Sequence, residues 1–176
     1  MTLKDYQSQA LSTAIYDEKF KVIYPMLGLV DEFAEVIDKG LMAGDEKEVA
    51  KELGDFMWYF SVFVNDMNID IDIFYILTET ELVFLRGALY DKVPDCFVSL
   101  GTIAGKIKKW IRDSNCITID NEMKEIIISN LRVLFLYVQV AALDLGYTLD
   151  EVLQMNIDKL KSRQERGVLS GSGDNR

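Results

Sequence analysis

The chain has 176 residues, and its 49% hydrophobic and 27% charged residues with only 2 prolines exclude a disordered or low-complexity chain. Lysine and arginine number 19 against 29 acids, a net charge of −10, so phosphate backbones and anionic lipid repel it, and neither nucleic acid nor membrane is expected as a partner. Histidine is absent, which excludes Ser-His and Cys-His nucleophiles, histidine general bases and histidine-containing zinc sites.

Helices follow one another along the chain. Thr2 with Asp5 forms a capping box for a first helix to about Tyr16, and Pro25 marks the entry of a second over 26–41. Asp45 with Glu48 caps a third, which runs through Leu53, Met57, Phe60 and Val64 at spacings of three and four. Residues 56–64 are apolar on nearly every side, so this helix should lie at the centre of a bundle. Further helices are expected over 70–90, 95–112, 121–145 and 148–165, the last opened by Thr148 and Glu151. The fold class is all-α. Residues 126–145 are interrupted by Asn130, Arg132, Gln139 and Asp144 and are not expected to span a membrane. Residues 167–176 form a Gly/Ser-rich tail. Met1-Thr2-Leu3-Lys4-Asp5 lacks the apolar stretch of a signal peptide, and Cys96 and Cys116 lack C-x-x-C spacing. Both observations point to reduced, semi-buried thiols in a cytoplasmic protein.

The chemistry concentrates in two carboxylate pairs. Glu32 and Glu35 are three apart on the second helix, and Glu52 and Asp55 are three apart on the third. Each pair therefore projects from one helix face, and a short connection can bring the two pairs to one level. Four carboxylates beside apolar walls repel one another unless protonated or bridged by cations. Oxygen ligands alone suit Mg²⁺ or Mn²⁺. Such pairs also occur on solvated helix faces of acidic proteins.

Glu32-Phe33-Ala34-Glu35 followed by Glu52-Leu53-Gly54-Asp55 resembles the E-x-x-E … E-x-x-D signature of the MazG-like, all-α nucleoside triphosphate pyrophosphohydrolases. The stretch 156–163, with Asn156, Lys159 and Arg163, and the tail ending in Arg176 resemble the phosphate-binding end of phage and bacterial members. The resemblance implies a helical bundle that forms homo-oligomers (dimers or tetramers) and splits a (deoxy)nucleoside triphosphate, (d)NTP, between its α and β phosphates. In that reading Glu32, Glu35, Glu52 and Asp55 hold Mg²⁺ or Mn²⁺, which neutralises the triphosphate and activates a water, with Glu32 or Glu35 as a candidate general base. Asn156, Lys159, Arg163 and Arg176 would bind phosphates, and Trp58 or Tyr59 could stack on the base. A phage-encoded member would work in the host cytoplasm.

The middle of the chain reads as an eroded copy of the same unit. A shift of 67 places Ser99 and Thr102 on Glu32 and Glu35, and a shift of 78 places Asn130 and Val133 on Glu52 and Asp55. The same shift of 78 maps Asn156, Lys159 and Arg163 back onto Thr78, Glu81 and Leu85. A single all-α domain over 1–176 would then comprise a metal-binding first copy (1–78), a degenerate second copy with the phosphate-binding end (79–166) and the tail (167–176). The alternative is an unrelated helical insertion that aligns through amphipathic periodicity alone. For function, the alternatives are a dUTPase- or dCTPase-like member of the same group, or a catalytically dead nucleotide-binding or regulatory bundle.

Overall fold

The structure, a computed structural model, describes residues 1–43, 45–87 and 91–170, with the backbone alone for 41–43. The fold is all-α. Among the described residues there are seven α-helices and no strand: α1 (Leu3–Leu11), α2 (Ile23–Ile37), α3 (Glu46–Asp66), α4 (Glu79–Leu82), α5 (Val93–Ser114), α6 (Asn121–Asp144) and α7 (Leu149–Glu165).

The chain divides into two compact units, Met1–Ile73 with Thr148–Arg176 and Phe74–Tyr147. The division does not follow the expected boundary at 78/79. The C-terminal helix α7, assigned from the repeat to the second copy, packs on α3 and α1 and belongs to the first unit. Its buried face of Val152, Leu153, Asn156 and Ile157 supplies the reason. At Gly54 of α3 a Cβ would lie 2.9 Å from the Cβ of Asn156, so the bare glycine backbone permits the approach.

In the first unit α3 is central, packed by α1, α2 and α7. Phe56, Met57, Phe60, Val62, Phe63 and Val64 are all at most 1% exposed, and burying each such side chain is worth about 1.5–3 kcal/mol. The predicted caps of α1, α3 and α7 are present: Thr2 and Thr148 form capping boxes with Asp5 and Glu151, and the Asp45 side chain accepts from Glu48 N. Helix α1 stops at Leu11, short of the expected Tyr16, because Ser12 and Thr13 hydroxyls donate to the carbonyls of Gln9 and Ala10. Ahead of α2, Val22 takes φ 68°, and Ile23 N–H donates to Lys21 O across this tight turn at 2.8 Å. That conformation is costly for a β-branched residue. Asp66 holds it, accepting from Val22 N–H and from the Tyr16 hydroxyl.

In the second unit α5 and α6 pack along one another. The single helix expected over 70–90 is replaced by short pieces. A turn at Ile71–Ile73 closes the first unit, a new capping box at Thr78 and Glu81 starts α4, and Gly87 at φ 80° follows. Gln139 of α6 explains the break, accepting from Leu77 N–H at 2.7 Å and donating to Tyr75 O at 3.3 Å, so that side-chain bonds replace helical ones. Helix α6 is, by length and composition, long and apolar enough to cross a membrane, and 61% of its most apolar window is buried within the protein, as a core helix is. Cys96 is buried, which pushes its thiol up to about 12, whereas Cys116 is exposed.

Candidate metal and phosphate site

Helical periodicity builds the site from three faces of the first unit. Gly28, Glu32, Glu35 and Lys39 recur along α2 and its end, Glu52, Asp55 and Tyr59 along α3, and Asn156, Lys159 and Arg163 along α7. Helices α2 and α3 pack together, as do α3 and α7, so the three faces meet around the acids.

One carboxylate oxygen each of Glu32, Glu52 and Asp55 lies within 4.8 Å of the others. The fourth expected ligand, Glu35, is not in this group. Its side chain is 48% exposed, and its carboxylate lies 3.2 Å from Lys39 Nζ. Lys39 also pairs with Glu52, whose side chain is 2% exposed. Burial raises the Glu52 carboxyl above its ordinary value, and the Lys39 hydrogen bond opposes that rise. Glu32 is pushed from 4.5 to about 9, first by burial and then by the charges of Asp55, Glu52 and Glu35. Three carboxylate oxygens this close form an all-oxygen donor set of the kind that suits Mg²⁺ or Mn²⁺.

Both oxygens of Asp55 are engaged by α7. Asn156 Nδ2 donates to Oδ1 at 2.7 Å, and the Lys159 ammonium pairs with Oδ2. Asn156 cannot turn away, because Tyr6 donates its hydroxyl proton to Asn156 Oδ1 at 2.8 Å, leaving the amide NH₂ for Asp55. Arg163 is buried one turn beyond Lys159. The acids and the expected phosphate binders Asn156 and Lys159 are thus brought together within one chain. Arg176 lies outside the described residues.

Trp58 is not a free stacking platform. Its indole N–H donates to Ala10 O at 3.1 Å and Thr13 Oγ1 at 2.9 Å, bracing the end of α1 against α3. Tyr59 lies within electrostatic reach of the acids: its half-buried hydroxyl is raised above its usual range by burial, by a Tyr24 hydrogen bond, and by the charges of Tyr24, Glu32 and Asp55. A Cβ at Gly28 would collide with the Tyr59 ring. Tyr24 continues the row, 5.9 Å from Tyr59 and stacked on Tyr16 at 4.7 Å.

Sequence reasoning missed Tyr6 and Lys39. Tyr6 sits on the apolar stripe Leu3-Tyr6-Ala10 of α1 and reads there as core. Lys39 is four residues after Glu35, a spacing that signals a surface ion pair and gives no sign of Glu52. In the second unit, Ser99, which the shift of 67 sets against Glu32, is buried, and Asn130, which the shift of 78 sets against Glu52, donates back to Ile126 O. Among the described residues, Glu32, Glu52 and Asp55 form the one acidic group close enough to hold an ion.

Comparison with curated proteins finds the "Gene 37 protein" of Mycobacterium phage L5, 42% identical over 76 residues. The matched stretch covers 43% of this chain and 66% of that protein. No protein-family model matches the chain. No solved structure matches it.

Proposed function

We propose that the chain is a divalent-cation-dependent nucleoside triphosphate pyrophosphohydrolase of the MazG-like all-α type, converting (d)NTP and water to (d)NMP and pyrophosphate. The observation that carries the reading is the meeting of two halves of the motif: the close carboxylates of Glu32, Glu52 and Asp55, and the engagement of Asp55 by Asn156 and Lys159 of α7. Glu32, Glu52 and Asp55 would hold the cation, which neutralises the triphosphate and makes a nearby water acidic enough to attack. Glu32 or Glu35, acting as general base instead of as a direct ligand, would accept the proton of the attacking water as the α-phosphorus bond to pyrophosphate breaks. Lys159, with Arg163 beyond it on the same face, supplies positive charge to the departing phosphates, and Asn156 adds a hydrogen-bond donor. The Tyr59 ring beside the acids is the surface offered to a base or sugar.

A second reading, a non-catalytic nucleotide-binding bundle, is favoured by one observation: Lys39 and Lys159 already pair with Glu52 and Asp55. Pyrophosphate release from a panel of (d)NTPs with Mg²⁺ or Mn²⁺, with EDTA and Asp55→Asn as controls, separates the two. Turnover lost in both controls supports the hydrolase, and binding without turnover supports the bundle. The phage relative agrees with action in a host cytoplasm. Exposed Leu27 and Val30 on α2 agree with self-association.

A further inference from the structure

We infer that Lys39 is a built-in cation of this centre: its ammonium closes the side between Glu35 and Glu52, leaving a seat for a single divalent ion among Glu32, Glu52 and Asp55. The inference rests on the reading of the carboxylates as a cation site. Lys39 touches both acids at once, pairing with Glu52 and lying 3.2 Å from Glu35 Oε2, with 24% of its side chain exposed. Its place follows from the backbone. Helix α2 passes at Asp38–Ala43 into a π-helical turn, a widened and uncommon geometry, and Lys39 is the second residue of that turn.

Two-ion sites place their ions roughly 3.5–4 Å apart and bridge them with shared carboxylates. Here Glu52 is paired with Lys39, and a second divalent ion beside that ammonium would meet like charge at close range in a partly buried setting. Lys39 thereby sets the number of ions the centre takes.

The test is titration of the intact chain with Mn²⁺ alone, by calorimetry and by loss of the free-Mn²⁺ electron paramagnetic resonance signal, for wild type, Lys39→Met and Lys39→Arg. Wild type and Lys39→Arg should each take one Mn²⁺ per chain, and Lys39→Met should gain a second equivalent. Two Mn²⁺ per chain in wild type, or one in Lys39→Met, overturns the role of Lys39 and leaves the cation site standing. No Mn²⁺ bound by any of the three overturns both. If Lys39→Met melts too low to titrate, Lys39→Gln, which also removes the charge, takes its place with the same two outcomes.

Discussion

Replacing Glu32 by glutamine should stabilise the ion-free protein at alkaline pH. The folded carboxyl keeps its proton up to about pH 9, whereas the unfolded chain releases it near 4.5. Between those values the folded state binds more protons, so the contribution of Glu32 is full below pH 4.5 and is lost as pH rises toward 9. At about 1.4 kcal/mol per pKa unit, the penalty at pH 7 is on the order of 3 kcal/mol, and relaxation of the partly accessible site reduces it to about 2 kcal/mol. Glutamine carries no charge and keeps the size of the protonated acid. In EDTA, Glu32→Gln should therefore match wild type near pH 4.5 and melt about 4–8 °C higher at pH 7. Mn²⁺ should reverse the order, because an ion that binds only the folded state stabilises the chain with the full carboxylate set. Thermal melts across pH 4.5–9, with and without Mn²⁺, measure both. A Glu32→Gln variant less stable than wild type at pH 8 in EDTA would refute the reasoning.

Gly28→Ala forces a methyl into the Tyr59 ring and should cost about 1–3 kcal/mol. Most of that cost should vanish when Tyr59→Ala is added, which a double-mutant cycle in urea detects. Trp58→Phe removes the indole bonds to Ala10 and Thr13 and should cost about 1–2 kcal/mol of stability. Its KM for any hydrolysed (d)NTP should stay within about threefold of wild type, since the ring is a brace for α1 and not a base platform. Mixing Asp55→Ala chains with Arg163→Ala chains should recover no activity, because α7 packs on α3 of its own chain. Recovery would place the phosphate binders of one site on a neighbouring subunit.

Much of this architecture was legible because it is local. The caps of α1, α3 and α7 are written in the side chains that close them, and the apolar wrap of 56–64 requires neighbours on every side. The i, i+3 spacing of the acids put each pair on one face. What lay hidden depends on pairings distant in sequence. The chain breaks between residues 70 and 90 because Gln139 takes Leu77 N–H across 62 positions. Helix α7 joins the first unit because Gly54 admits Asn156. Glu35 lies outside the cluster and pairs with Lys39, and Tyr6 fixes the Asn156 amide across 150 positions. The shifts of 67 and 78 compare periodic faces without their partners, and the boundary they suggest at 78/79 does not follow the compact units, because α7 packs on α3 and α1.

The most direct test of the central claim is the fate of the bonds. Wild-type protein with Mg²⁺ and a hydrolysable dNTP in ¹⁸O-water, followed by phosphorus NMR, should yield deoxynucleoside monophosphate carrying one ¹⁸O and unlabelled pyrophosphate. Asp55→Asn should yield neither. Release of inorganic phosphate and a diphosphate, label in the pyrophosphate, or no product with any nucleoside triphosphate would contradict the account.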